Sequence, residues 1–185
     1  RAPRATVLHV TGKPLTIQTI VVQVSTVTSI VPGPASNATY DLGRVTLLPG
    51  MIDVHTHIGW HFDKDGRYAA RPGPPAQEIL YAAENAYVTL LAGFTTIQSV
   101  GEPSDRSLRD AIQRGDLPGP RILTSLEPII GKGDSIGTPD ELRAMVRQRA
   151  EAGADLIKIF ASRSMRVGAG PTLTEAQPAG PRAES

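Results

Sequence analysis

The chain has 185 residues and a formal net charge of +1, with 19 lysines and arginines against 18 aspartates and glutamates. Because the basic residues are scattered along the sequence, the composition argues against nucleic acid or an acidic membrane surface as a partner. The absence of cysteine excludes disulfides, thiolate metal sites and cysteine nucleophiles, and the length falls short of the roughly 250 residues of a complete (β/α)8 barrel.

The first part of the chain has the pattern of short β-strands. From Thr6 to Leu48 it is rich in valine, isoleucine and threonine, and apolar and polar residues alternate from Ile17 to Ile30. An extended pattern resumes from Tyr40 to Leu48. Between these stretches, a turn is predicted at the cluster Pro32, Gly33, Pro34, Ser36 and Asn37. We therefore predict a small β-rich segment over residues 1–49.

After Pro49 and Gly50, apolar strand-like runs alternate with amphipathic segments of helical length, which is typical of βα units on a parallel sheet. We predict an α/β fold over residues 50–177, a partial (β/α) barrel of about four units, and a tail over residues 178–185. The predicted strands are Met51–Ile58, Thr95–Val100, Arg121–Ser125 and Leu156–Phe160. The predicted helices are about Ala76–Ala92, Ser104–Arg114 and Pro139–Ala152.

Capping residues support two of these helices. Ser104 is a candidate N-cap of the second helix. Thr138 and Glu141 have the spacing of a capping box around Pro139, which suits the first helical position. Beyond the fourth strand, several glycines and prolines predict a loop and a tail, although residues 174–177 have the composition of a helix start.

The strongest chemical signal is the pair His55 and His57 at the end of the first barrel strand. Because side chains alternate across a strand, we expect both imidazoles on one face, about 7 Å apart along the backbone. Two such imidazoles can bind one divalent cation and leave positions open for water. Barrel active sites lie at the carboxyl ends of the strands. The alternative is a pair of polar residues satisfied by solvent, but the apolar strand and the following βα units favour a metal site.

Lys158 is the other unusual residue, because it lies inside the apolar run Leu156–Phe160. A buried ammonium group is costly unless it has a partner. One interpretation is a functional lysine. The other is a lysine whose hydrocarbon stem crosses the sheet edge while its ammonium group reaches water.

The sequence Leu-Leu-Pro-Gly-Met-Ile-Asp-Val-His-Thr-His, ending at His57, resembles the first-strand motif of the amidohydrolase superfamily. Three further stretches, Ala92 to Val100, Leu117 to Leu123 and Gly153 to Ser162, resemble its imidazolonepropionase-like and Xaa-Pro dipeptidase-like branch. The β-rich segment is similar to the small β-sandwich that flanks the barrel in this family. The resemblance spans about residues 17–177.

This resemblance implies a metal-dependent hydrolase that cleaves amide, ester or lactone bonds with a metal-activated water, with zinc as the favoured metal and one or two ions bound. It implies His55 and His57 as metal ligands. It also implies that Lys158, carbamylated by carbon dioxide, bridges the metal ions and takes part in catalysis. The family's histidines on strands five and six and its aspartate on strand eight have no counterpart here, so the resemblance assigns no general base.

Other residues near the predicted strand ends are candidates for that base or for an extra ligand. His61, on the loop after the first strand, is a catalytic candidate. Asp53 is expected to be paired structurally. The weaker candidates, more often solvated than functional, are Asp63, Asp65, Glu102, Asp105 and Glu127.

A four-stranded piece of a barrel has unpaired edges, so we expect a homo-oligomer, for example two copies around a two-fold axis. The expected partner is a small-molecule substrate, with no nucleic acid and no membrane.

A different class of function stays open: a truncated, non-catalytic fragment that binds metal weakly or acts as an oligomerisation module. We expect a soluble protein, with the cytoplasm favoured and the periplasm or secretion as alternatives. Because the first residue is Arg1 and not methionine, we expect that a segment before it was cleaved, trimmed or left out.

Overall fold

The computed structural model describes residues 6–8, 14–16, 18–42, 45–68, 74–131, 135–164 and 168–173. The chain divides into two compact units, Arg1–Gly50 and Met51–Ser185. Among the described residues, no helix has both the length and the apolar character needed to cross a bilayer.

The N-terminal unit consists of short strands, as its composition predicts. They are β1 (Thr6–Leu8), β2 (Pro14–Thr16), β3 (Gln18–Gln23), β4 (Thr26–Pro32) and β5 (Thr46–Leu47). β3 and β4 form an antiparallel hairpin. β1 pairs antiparallel with β2 and parallel with β5. The predicted turn is present at Ser36 and Asn37, but only the last part of the predicted extended stretch, β5, forms a strand.

The second unit is built from three consecutive βα units. In chain order its elements are β6 (Met51–Thr56), α1 (Pro75–Leu91), β7 (Phe94–Ser99), α2 (Asp105–Arg114), β8 (Arg121–Thr124) and α3 (Pro139–Glu151). The strands form one parallel sheet in the order β6-β7-β8. All six elements were predicted from apolar periodicity, with boundaries that differ by one or two residues. The carboxyl ends of the three strands therefore lie along one edge of the sheet.

The core between sheet and helices consists of aliphatic side chains. Ile97 of β7 and Ile122 of β8 pack against Leu108 of α2. Ala82 and Ala86 lie on the buried face of α1, where their small side chains allow the helix to approach the sheet. A second cluster joins Ile129, Ile136 and Leu142 beneath α3. This packing fixes the positions of the three strand ends.

The predicted helix starts have different outcomes. The capping box of α3 is confirmed, because Thr138 Oγ1 accepts a hydrogen bond from Glu141 N (3.3 Å) and Glu141 Oε2 accepts one from Thr138 N (2.7 Å). The side-chain cap predicted at Ser104 is wrong. Ser104 precedes α2 but has helical backbone angles (φ −66°, ψ −21°), whereas a capping side chain needs extended ones to reach the free N–H groups.

The fourth predicted strand, Leu156–Phe160, is also wrong. Its only described sheet contact is a parallel bridge in which Ile129 N donates to Lys158 O (2.7 Å) and Phe160 N donates to Ile129 O (3.0 Å). Just before this segment, Asp155 N donates to Thr124 O of β8 (2.8 Å), and the Asp155 carboxylate accepts from Thr124 N (3.0 Å). The run Leu156–Phe160 itself forms the single bridge and no ladder. The helix start predicted at residues 174–177 and the tail lie outside the described residues.

β6 forms one edge of the parallel sheet. Within the described part of the chain, no strand pairs with its other side, and Ile52 and Val54 are each 64% exposed. Such an edge favours association with another strand. The expected homo-oligomer stays a prediction, and this edge is the place where a second copy would add.

Candidate active site

The carboxyl end of β6 brings His55 and His57 side by side. Their ring centroids are 5.8 Å apart and the ring planes are inclined by 57°. Two imidazoles that share one zinc ion have centroids roughly 5–6 Å apart, since each Zn–N bond is about 2.1 Å. The pair is therefore close enough to share one cation, and imidazole nitrogens are suitable donors for a divalent transition metal.

A bulge in β6 precedes this pair. Asp53 lies opposite Ile97 and Thr56 lies opposite Ser99, so three residue steps on β6 match two on β7. Bulges of this kind bend a strand and redirect its side chains. Asp53 stabilises the irregular backbone, because its Oδ1 accepts a hydrogen bond from His55 N at 3.0 Å. The expected structural role of Asp53 is thus a local one at the bulge.

Lys158 lies near the pair. Its ammonium Nζ is 5.1 Å from the centroid of the Phe160 ring, a cation–π distance. Burial lowers the pKa of His57, and the positive charges of His55 and Lys158 lower this pKa further. A lowered pKa favours the neutral imidazole, which is the form that binds metals. The described residues contain no group of three or more histidine, cysteine, aspartate or glutamate side chains placed to hold an ion, so the role of the two histidines and Lys158 as ligands stays a prediction.

His61 is held by the first helix. Its ring stacks on Tyr81 of α1, with centroids 3.6 Å apart and planes inclined by 10°. His61 and His57 both line a cavity of about 370 Å³ between the loop after β6 and α1. The predicted catalytic histidine is therefore in the same cavity as one predicted ligand.

An aromatic loop beside His57 was not predicted. Trp60 stacks on the His57 ring at a centroid distance of 4.1 Å and an angle of 9°, and Tyr68 packs on Trp60 at 4.8 Å. Asn85 of α1 holds this loop, since its Nδ2 donates to Ile58 O (2.9 Å) and Trp60 O (2.7 Å). One signal was available: four of the chain's eight aromatic residues fall between positions 60 and 81.

Several carboxylates that the sequence offered as weak candidates have structural partners. Asp63 Oδ1 accepts from the backbone N–H groups of Asp65 and Arg67, each at 2.9 Å, and so fixes the turn of the aromatic loop. Glu127 forms an ion pair with Arg149 of α3 at 2.9 Å. Neither contact involves the histidine pair.

Asp105, the first residue of α2, is hydrogen-bonded to residues at the carboxyl ends of β7 and β8. It is 2% exposed, and its carboxylate accepts hydrogen bonds from the hydroxyls of Ser99 and Thr124 (3.0 Å for Thr124 Oγ1). Ser99 Oγ in turn accepts from Ile58 N (3.3 Å), and Thr124 Oγ1 accepts from Leu126 N (2.9 Å). The network connects β7, β8 and the loop that follows His57, so Asp105 positions the site without being part of it.

We expect Asp105→Ala to lower the free energy of unfolding by about 1–3 kcal/mol, because two buried hydroxyls would lose their acceptor. Asp105→Asn is the matched control, since an amide oxygen can accept the same bonds, and its loss should be smaller in urea denaturation. Equal losses in the two variants would contradict the network.

The difference in stability between Asp105→Asn and the wild type should change with pH in a defined direction. Burial raises the pKa of Asp105 above its ordinary 3.8, although the hydroxyl bonds lower it in part. The contribution of this carboxyl to stability is then present below 3.8 and is lost as the pH rises through the raised pKa. The wild type should therefore lose stability between acid and neutral pH, and Asp105→Asn should not. The free energy of unfolding of Asp105→Asn, taken relative to that of the wild type, should be higher near neutral pH than in acid.

Glu102, which follows β7, lies close to the loop after β6. A Cβ atom on Gly59 would lie 3.6 Å from Glu102 Cγ, in ordinary contact. Burial raises the pKa of Glu102, and the charges of Asp105 and Glu78 raise it further. Glu102 is therefore a second proton acceptor candidate beside His61.

Comparison with known proteins identifies the family to which this chain belongs. Residues 46–177 match the model of the amidohydrolase family. Over 83 residues the chain is 34% identical to the imidazolonepropionase of Deinococcus deserti, a match that covers 42% of this chain and 21% of that protein. The chain therefore aligns with about a fifth of this relative.

Two solved structures extend the comparison to the fold. One is a Xaa-Pro dipeptidase with methionine bound in its active site, at 27% identity and a TM-score of 0.75, covering 94% of this chain and 51% of the other. Phenylurea hydrolase B, at 17% identity, shares the fold with a TM-score of 0.71 over 96% of this chain and 50% of the other. The chain spans about half the length of both structures. With the family model matching most of its length, and with the resemblance of its motifs confirmed, the chain belongs to the amidohydrolase family.

Proposed function

We propose that this chain provides the first-strand part of a metal-dependent hydrolase site that cleaves amide, ester or lactone bonds. The observation that carries the proposal is the histidine pair at the carboxyl end of β6, with ring centroids 5.8 Å apart, in a chain of the amidohydrolase family. In parallel βα folds this end of the strands is where reacting groups are held.

In this proposal His55 and His57 hold a divalent ion, with zinc favoured, and Lys158 supplies a further ligand when its amine has reacted with carbon dioxide to give a carbamate and a proton. A bound divalent ion would polarise the scissile carbonyl and lower the pKa of water. The local donor set fits the imidazole preference of such an ion, with two histidines adjacent and Lys158 near His57.

In this proposal, other side chains of the chain orient the metal ligands and transfer protons. Trp60 stacks on His57 and fixes the orientation of that ring, while Asn85 fixes the backbone of Trp60. His61, oriented by its stack on Tyr81, is the proposed general base, because it lines the same cavity as His57. The small-molecule substrate would lie in this cavity beside the strand ends.

Chelation tests the proposal. We expect the purified chain to hydrolyse simple esters and amides such as p-nitrophenyl acetate, to lose this activity with 1,10-phenanthroline and to regain it with zinc. Metal content would be measured in the same samples, because site occupancy and turnover should change together. Activity that survives complete removal of metal would contradict a metal-dependent mechanism. Bound metal without any turnover would favour the non-catalytic alternative, to which the comparisons lend no support.

A further inference from the structure

Ser125, the residue directly after β8, has a buried hydroxyl group that the described fold does not use. The residue is fully buried, at 0% exposure, and its Oγ is shielded from solvent. Among the described residues, Ser125 Oγ is the only buried side-chain oxygen or nitrogen without a hydrogen-bond partner. Burial of a hydroxyl without a partner is costly, so its presence points to an acceptor that the unmodified chain lacks.

The backbone around Ser125 is fixed by hydrogen bonds and is strained at one position. Ser125 N donates to Ser99 O of β7 at 3.1 Å, and Leu126 N donates to Thr124 Oγ1 at 2.9 Å. Leu126 is buried and has a φ of +55°, in the left-handed region that residues other than glycine rarely occupy. Strain of this kind persists where the surrounding structure enforces it, and it is concentrated at functional sites. The turn therefore holds Ser125 in one defined position.

The side chains of Ser125 and Lys158 are directed to the same side of the fold. Thr124 Oγ1 bonds to a carboxylate of α2, so the next residue, Ser125, is directed away from the helices. Ile157 and Ile159 pack against the apolar cluster beneath α3, so Lys158 between them is also directed away from the helices. The orphaned hydroxyl and the lysine of the candidate site thus share one face.

Two backbone hydrogen bonds join the segment that carries Ser125 to the segment that carries Lys158. Asp155 N donates to Thr124 O at 2.8 Å, and Ile129 N donates to Lys158 O at 2.7 Å. Ser125 directly follows the first of these bonds, and Lys158 takes part in the second. The two side chains therefore project from neighbouring pieces of backbone.

We propose that Ser125 is a positioning residue whose hydroxyl donates a hydrogen bond to a carbamate on Lys158. This inference rests on the proposed function, in which Lys158 reacts with carbon dioxide. In that reaction the neutral amine forms a bond to the carbon of carbon dioxide, one C–O π pair passes to an oxygen, and the nitrogen releases a proton to solvent. The product carries a carboxylate where the ammonium group had only donors, so the orphaned hydroxyl gains an acceptor. Because Ser125 Oγ is closed to solvent, a side chain of the chain itself fits this role better than a substrate does.

Stability in urea provides a readout that does not depend on turnover. In buffer free of carbon dioxide, Ser125→Ala should be at least as stable as the wild type, because its hydroxyl has no partner to lose. With bicarbonate, the wild type should gain more stability than Ser125→Ala, since a modification that the folded chain holds better stabilises the fold. Ser99→Ala is the matched control and should lose stability under both conditions, because Ser99 Oγ already accepts from Ile58 N at 3.3 Å. A clear loss of stability in Ser125→Ala without bicarbonate would reveal a partner inside the fold and overturn the inference.

Carbon-13 NMR of the purified chain with zinc and labelled bicarbonate tests the inference directly. We expect a carbamate resonance that Lys158→Ala removes. Ser125→Ala should need about fivefold more bicarbonate for half-occupancy of this carbamate, because a hydrogen bond to a charged acceptor is lost. Equal bicarbonate requirements in Ser125→Ala and the wild type would overturn the inference and leave the proposed hydrolase function standing. Absence of the carbamate from the wild type would overturn the inference together with the role proposed for Lys158.

Discussion

Replacement of both His55 and His57 by alanine is expected to lower kcat/KM for ester hydrolysis by about 100-fold or more and to abolish stoichiometric zinc binding. Even the outer partners of metal ligands contribute about 10–100-fold to metal affinity or activity, and the ligands themselves should contribute at least as much. His55 is exposed and His57 half-buried, so the double substitution should leave the core intact. Steady-state kinetics and metal analysis of the same preparation provide the measurement.

Two controls accompany this experiment. Arg147→Ala, on the exposed surface of α3, should keep wild-type kinetics and metal content. Circular dichroism of the double variant should match the wild type. If the folded double variant retained full turnover, the chemistry would lie elsewhere in the chain or in a contaminant, and the role assigned to the pair would be wrong.

The second large effect is expected at Lys158. We predict that Lys158→Ala lowers kcat/KM on the order of 10–100-fold, because it removes both the amine that forms the carbamate and a group close to His57. Lys158→Glu, which carries a carboxylate on a shorter side chain, should retain more activity than the alanine variant. Bicarbonate should raise the activity of the wild type and of neither variant.

A different result is expected if Lys158 has only a structural role. A lysine whose ammonium group only reaches solvent, with its stem packed near Phe160, could be replaced by methionine at little cost in turnover. Wild-type kinetics in Lys158→Met, together with no response to bicarbonate, would therefore support the structural interpretation of this residue.

Much of the fold could be predicted from local sequence patterns. The three strands and three helices of the second unit follow apolar periodicity, and the capping box of α3 depends on residues only three positions apart. The fourth strand was predicted from its apolar run, but in the structure this run makes only the isolated bridge between Ile129 and Ile159. The Asp155 carboxylate bonds to Thr124 N, and no pattern in the run Leu156–Phe160 reveals that contact.

The candidate site was predicted in part. The spacing of His55 and His57 gave the pair directly, since neighbours on a strand end stay close whatever surrounds them. The stack of Trp60 on His57 and the burial of Asp105 depend on residues distant in sequence. Asp105 looked like a possible site carboxylate because it follows a strand, whereas its contacts with Ser99 and Thr124 make it a structural acceptor.

Two sets of hydrogen bonds hold the backbone that follows β6. Behind the sheet edge, Ser99 Oγ holds Ile58 N and is itself bound to Asp105. On the cavity side, Asn85 holds the carbonyls of Ile58 and Trp60. The backbone just after His57 is thus fixed from two sides, which is what a ligand that must keep a narrow geometry requires.

The central claim is that His55 and His57 bind one divalent ion together, and X-ray absorption spectroscopy of the zinc-loaded chain tests it most directly. We predict one zinc ion per chain, with two imidazole nitrogens at about 2.1 Å. His55→Ala and His57→Ala should each lose one of these nitrogens. A zinc shell without imidazole nitrogens in the wild type, or one that keeps both nitrogens in either variant, would contradict the claim.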